Sequence, residues 1–164
     1  MHSTLRAAID IYFRGERAEM IAFLAFGVVL VLAAALLWSA HDRFARALAV
    51  SLGLVAIVAF SVAVPLLLRD GPHAERLRER LARGEEAGVR TDEGARMAVV
   101  NHNYAYYRYL YAVCLAVAAL LMLFWRSPIT SGIAVGLMVF AATGLVVDHY
   151  SESRAAIYAE ALRG

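Results

Sequence analysis

The 164-residue chain has no lysine, one cysteine and three prolines, and four long apolar runs, 20–38, 47–68, 109–125 and 129–147, contain no charged side chain. Each shortage excludes something. Cys114 lies inside the third run with no partner in the chain, so no intrachain disulfide forms and the residue reads as a small packing side chain. An ionisable group within a membrane span usually marks a proton relay or a solute path, so its absence argues against a proton-coupled transporter. It also argues against intramembrane hydrolysis, which calls for a buried histidine or carboxylate beside a nucleophile. The polar groups left inside, Ser51, Ser61, Thr130, Ser131 and Thr143, commonly bond back to their own helix. With lysine missing, every base is arginine, a compositional pointer to a GC-rich bacterial genome.

What is abundant is apolar surface. Hydrophobic residues make up 62% and charged residues 18% of the chain, against about 45–50% and about 25% in soluble domains. A helix rises about 1.5 Å per residue and the hydrocarbon layer is about 30 Å thick, so runs of roughly 17 to 25 residues cross it. All four runs qualify, which predicts an all-α, four-transmembrane-helix bundle made of two antiparallel hairpins. About twenty residues precede the first run, and Trp38 would occupy the minus-three position of any cut after Ala40, so the first span is expected to be retained.

Sorting the sixteen arginines by segment puts thirteen on the side of the amino terminus and three, Arg43, Arg46 and Arg126, opposite. The positive-inside rule then predicts a bacterial inner-membrane protein with both termini cytoplasmic. Trp38 and Trp125 close spans one and three on the outer side, and Tyr104, Tyr106, Tyr107, Tyr109 and Tyr111 crowd the inner end of span three, as interfacial belts do. Acids collect on the inner side too, with Asp42 alone outside, so no strongly basic face is left for nucleic acid.

Residues 1–18 form an amphipathic segment in which Leu5, Ala8, Ile9, Tyr12 and Phe13 share one face, with Ser3 or Thr4 as cap and Gly15 as a hinge. It reads either as an interfacial helix or as a straight extension of span one. Residues 19–68 are the first transmembrane hairpin, with Asp42 capping its second helix and Pro65 kinking or ending it. Residues 69–91 read as a charged cytoplasmic loop: Asp70, Gly71 and Pro72 turn the chain, and a short helix follows over about 74–84. Residues 92–164 form the second, longer hairpin. Thr91 is the expected cap of a helix of about 34 residues, roughly 50 Å long, which must project beyond the bilayer. Ser127 and Pro128 open the fourth helix, and Gly132 and Gly136 give it a close-contact step that also suits self-association.

The polar constellation lies on the inner parts of helices three and four. Antiparallel helices turning near position 127 face each other at numbers summing to about 254, which sets Arg108 near Asp148, His102 near Glu152 and Arg96 near Tyr158. An Arg108–Asp148 pair at the membrane boundary is the expected contact, since pairing offsets the desolvation of each. His149 and Glu152 have the i, i+3 spacing of carboxylate metal sites, and with His102 they make the candidate metal set. Met97, Val100, Tyr104, Tyr107 and Tyr111 form the helix-three seam, however, which turns His102 away, and Val147, Ala155, Tyr158 and Leu162 form the helix-four stripe, which turns His149 away. Solvated or capping histidines are therefore expected, with no metal or other cofactor.

The segment from Arg96-Met97 to Tyr107-Arg108 and the tail Asp148-His149-Tyr150-Ser151-Glu152-Ser153-Arg154-Ala155 with Tyr158 resemble an uncharacterised family of small bacterial four-span integral membrane proteins. The resemblance implies the four-span fold and no particular activity.

The expectation is a non-catalytic inner-membrane scaffold, partner-binding or regulatory component. Its partners would be the bilayer, a cytoplasmic or membrane protein held by Tyr104, Tyr107 and Tyr111, and a second copy of the chain. The rivals are an oligomeric channel or carrier lined by Ser51, Ser61 and Thr143, and a metal-dependent membrane enzyme.

Overall fold

The computed structural model describes residues 2–164, with side chains from Thr4 onward. Ser3, one of the two expected caps, therefore has its side chain outside the described set, and Thr4 lies within the first helix. That helix, α1 (His2–Ser39), runs unbroken through Gly15. Leu5, Ile9, Tyr12 and Phe13 are buried against the other helices, so the amphipathic segment is the beginning of α1 and its stripe faces protein. A single interior glycine costs only about 1 kcal/mol. Gly15 also makes room for a neighbour: an added Cβ would stand 2.6 Å from the side chain of Arg154.

Asp42 caps α2 (Arg43–Ala82) by accepting from the Ala45 amide at 3.0 Å. The expected turn at 70–72 and the separate short helix after it are not formed, because α2 continues through both Pro65 and Pro72. An interior proline costs about 3 kcal/mol or more. Here Asp70, Ala74, Leu77 and Leu81 recur at helical spacing and are all buried in the bundle. Burying a leucine side chain gains about 1.5–3 kcal/mol, so two of them with Ala74 offset the cost.

The real turn is at Arg83 to Glu85, where Gly84 takes φ +82°, a left-handed conformation that suits glycine. α3 (Glu86–Phe124) therefore starts six residues, nearly two turns, earlier than the Thr91 cap implied. Thr91 instead bonds back to the Ala87 carbonyl at 3.0 Å. The extra length is held by the buried Val89 and by Arg90, which binds Glu86 and donates to the Ala161 and Leu162 carbonyls at 2.9 and 3.0 Å. Ser127 and Thr130 close a capping box on α4 (Pro128–Arg163), with Pro128 in its first turn.

All four helices are long and apolar enough to cross a bilayer, and the chain is a multi-pass membrane protein with an all-α four-helix bundle. At about 1.5 Å per residue, 36 to 40 residues run roughly 54–60 Å, nearly twice the hydrocarbon thickness. Leu36, Leu68, Leu123 and Phe124 are each more than 60% exposed, as lipid-facing side chains are. The terminal half, which carries both chain ends, has the large-residue core of Leu5, Ile9, Met97, Tyr158 and Leu162. In the turn half the spans pack largely through alanine, including Ala56, Ala59, Ala118, Ala134 and Ala141.

The helices lie in the order α1, α2, α4, α3, and α2 touches α3 only lightly. Gly132 and Gly136 produce the α2–α4 contact. An added Cβ would come within 2.8 Å of the Phe44 carbonyl at the first and 2.2 Å of the Ser51 Cβ at the second. Their close-contact face is thus taken up inside the chain, and the self-association expected of it has no free surface to use.

Candidate functional site

Glu93 is the centre of the terminal half. It is 2% exposed, and its carboxylate accepts from Arg96 at 2.7 Å, from Tyr158 at 3.3 Å and from His73 Nε2 at 2.7 Å. The Arg96 guanidinium lies 5.8 Å from the Tyr12 ring centroid and 5.7 Å from that of Phe13. Side chains of α2, α3 and α4 therefore meet at one buried acid, and α1 joins them through the rings under Arg96. Burial pushes the Glu93 carboxyl up, but the Arg96 hydrogen bonds and charge, with His73, more than reverse this and hold it below the usual range. Arg96 and Tyr158 do meet, as the register predicts, and Glu93 is the group that joins them.

A second node sits closer to the spans. Arg154 of α4 passes over Gly15 to bind Glu16 at 3.3 Å and, more tightly, Glu19, whose other oxygen accepts from Ser151 at 2.7 Å. One guanidinium here serves two carboxylates. Glu16 is buried, and its carboxyl is raised by burial more than the Arg154 charge lowers it.

The expected Arg108–Asp148 pair is not formed. Arg108 reaches instead to Glu152, one turn further along α4 towards the chain end, at 3.2 Å. Long arginine side chains place their charge towards water, and Glu152, with 36% of its side chain exposed, is wetter than Asp148, whose Oδ2 is buried. Asp148 is left without a guanidinium, and its Oδ2 is buried with no hydrogen-bond partner.

Between α2 and α3, where contact is light, the bundle holds a cavity of about 380 Å³. Its wall changes character with depth. At the level of the spans it is Val55, Val58, Val62, Leu110 and Phe140, and towards the chain ends it becomes Tyr12, Glu16, Arg96, Asn103, Asp148 and Ser151. Tyr104 and Tyr111, expected as anchors for an outside partner, are buried and line this cavity, and the half-exposed Tyr107 stands at its edge. Gly144 lets Tyr111 lie across α4, since an added Cβ would stand 2.3 Å from the ring. A larger recess, about 620 Å³, lies between α1 and α2. Asp10 and Arg78 on its rim already pair at 2.8 Å.

His102 and His149 are both exposed, and among the described residues no group of three metal-ligating side chains comes together. The hydroxyls expected to line a channel are dispersed. Ser51 donates to the Ala47 carbonyl at 3.0 Å and Ser61 to that of Ile57 at 2.7 Å, and Thr143 alone reaches the cavity. The residues that sequence reasoning passed over are Glu16, Glu93 and His73, which read as ordinary members of charged segments, while Arg154 stood in the helix-four constellation without a partner assigned. Gly15 and Gly144 were the available signals, each marking a place where a large side chain crosses a helix. Comparison with known proteins gives no match to a family model, a curated protein or a solved structure.

Proposed function

We propose that this chain is a non-catalytic binding protein of the membrane whose partner is a membrane-soluble molecule held in the cleft between α2 and α3. One observation carries the reading: a single cavity is apolar where the spans are and polar towards the chain ends, the profile of an amphiphile lying along the bilayer normal. The tyrosines first read as protein anchors support it, since Tyr104 and Tyr111 point into that cavity. The uncharged span interiors and the scattered hydroxyls favour holding a molecule over conducting one. The arginine distribution and the family resemblance support a bacterial inner membrane with the terminal half on the cytoplasmic side.

A photoreactive alkyl amphiphile tests the reading on protein reconstituted in nanodiscs. Labelling is expected to concentrate on peptides carrying Val58, Val62 and Leu110 and to fall severalfold in Val62→Trp, which fills the cleft. Equal labelling there and on the lipid-facing stretch around Leu32 and Leu36 would remove it.

A protein partner is the second reading. It is favoured by Val99 and Tyr106 on α3 and Tyr150 and Ile157 on α4, large apolar side chains exposed outside the spans. Crosslinking from Tyr106 in native membranes, with no adduct above background, would dismiss it.

A further inference from the structure

We propose that the cleft takes a lipophilic cation, an ammonium group on a hydrophobic body, with the charge seated between Glu16 and Asp148. The inference rests on the cleft being a binding site for a membrane-soluble molecule and adds the chemistry of that molecule's head.

Charge accounting carries it. Arg154 is shared between Glu16 and Glu19, so one carboxylate of that group is unanswered. Arg108 is committed to Glu152, so Asp148 is unanswered as well. The other guanidiniums facing the cleft are taken, Arg96 by Glu93 at 2.7 Å and Arg69 by Asp70 at 2.8 Å. The wall itself carries Glu16 and Asp148 with Arg69 and Arg96, and once the partners these groups hold outside it are counted, six carboxylates stand against four guanidiniums around its polar end. Unpaired carboxylates in a weakly polar setting are costly, and an incoming cation relieves that cost. An anionic head would meet charge of its own sign, and a neutral hydroxyl could donate to the orphaned Asp148 Oδ2 but would leave the excess negative charge in place.

The walls agree with the charge. Tyr104 and Tyr107 line the same end, and tyrosine ring faces attract ammonium groups, quaternary ones included. Val58, Val62, Leu110 and Phe140 accept the hydrophobic body. A volume of about 380 Å³ equals roughly a dozen waters at about 30 Å³ each, room for a small head and one chain.

The test compares three probes with matched chains, dodecyltrimethylammonium, dodecanol and dodecanoate, binding at pH 8 to the full chain in zwitterionic nanodiscs, with empty nanodiscs subtracted. The ammonium is expected to bind at least tenfold more tightly than either of the others. The double variant Glu16→Gln, Asp148→Asn should erase that preference, with thermal unfolding of each variant confirming an intact fold. Equal binding of alcohol and ammonium, tighter binding of dodecanoate, or a tenfold preference surviving in the double variant would overturn the proposal. If all three probes bind alike and Val62→Trp abolishes binding, the cation is wrong and the amphiphile cleft stands. If none binds, both fail. Enrichment of amine-headgroup phospholipid with the purified protein would name lipid as the source, and ammonium binding without enrichment would name a free hydrophobic amine.

Discussion

Tyr158 of α4 stacks on Tyr12 of α1, ring centroids 4.6 Å apart and planes within 16° of parallel, while its hydroxyl donates to Glu93 of α3 at 3.3 Å. One side chain so joins three helices where the chain ends meet. Tyr158→Ala should lower unfolding free energy by about 3–5 kcal/mol, the usual cost of deleting a buried aromatic ring. Tyr158→Phe keeps the stack and should cost only about 1 kcal/mol. Reversible unfolding in mixed micelles measures both, and equal losses in the two variants would show that the hydroxyl bond dominates.

Glu93 makes the fold acid-sensitive in a definite direction. Its carboxyl is held below the ordinary value of 4.5, so its contribution is present above that pH and is lost as pH falls through the depressed value. Glu16, raised from 4.5, acts oppositely: its contribution is present below that value and fades as pH rises through the raised one. Glu93→Gln should flatten stability against pH below about 4.5 and, by leaving Arg96 without its carboxylate, cost about 3–5 kcal/mol at pH 7. A parallel pH profile in the variant would contradict the assignment.

Pro72 lies within α2, its carbonyl accepting from Arg76 at 3.2 Å. Proline there removes one helical hydrogen bond, so Pro72→Ala should stabilise the protein, less the ~0.4–1 kcal/mol that proline saves by restricting the unfolded chain. A net gain of about 2 kcal/mol is expected from these two terms. Were the chain instead turning at Pro72, alanine would destabilise it.

Arg108 and Glu152 are both well exposed, so their pairing should contribute less than about 1 kcal/mol. A double-mutant cycle between positions 108 and 152 should return about 0.2–1 kcal/mol of coupling. The cycle between 108 and 148 should return less. The reverse order would restore the pairing that the helical register suggested.

Signals that act within one turn of chain were legible in the sequence. The Asp42 and Ser127 caps and Pro128 sit at helix starts as read, and the four apolar runs lie in four helices. The break at 70–72 was misread because proline and glycine act locally, whereas the stripe through Ala74, Leu77 and Leu81 gains its energy from helices far away in sequence. The buried network was hidden for a related reason. Glu16, Glu93 and Arg154 look like solvated charges in one dimension, and only the helix order brings them inside. The Arg108 pairing failed on side-chain reach, which backbone register does not contain.

With α4 standing between α2 and α3 in the row of helices, those two touch only lightly and do little by themselves to hold the cleft shut. The charged cross-links near the chain ends act as its drawstring. How wide that cleft stands is then decided in the terminal half of the bundle, where Glu93 and Arg154 tie the helices, so a substitution there can change what the span half admits.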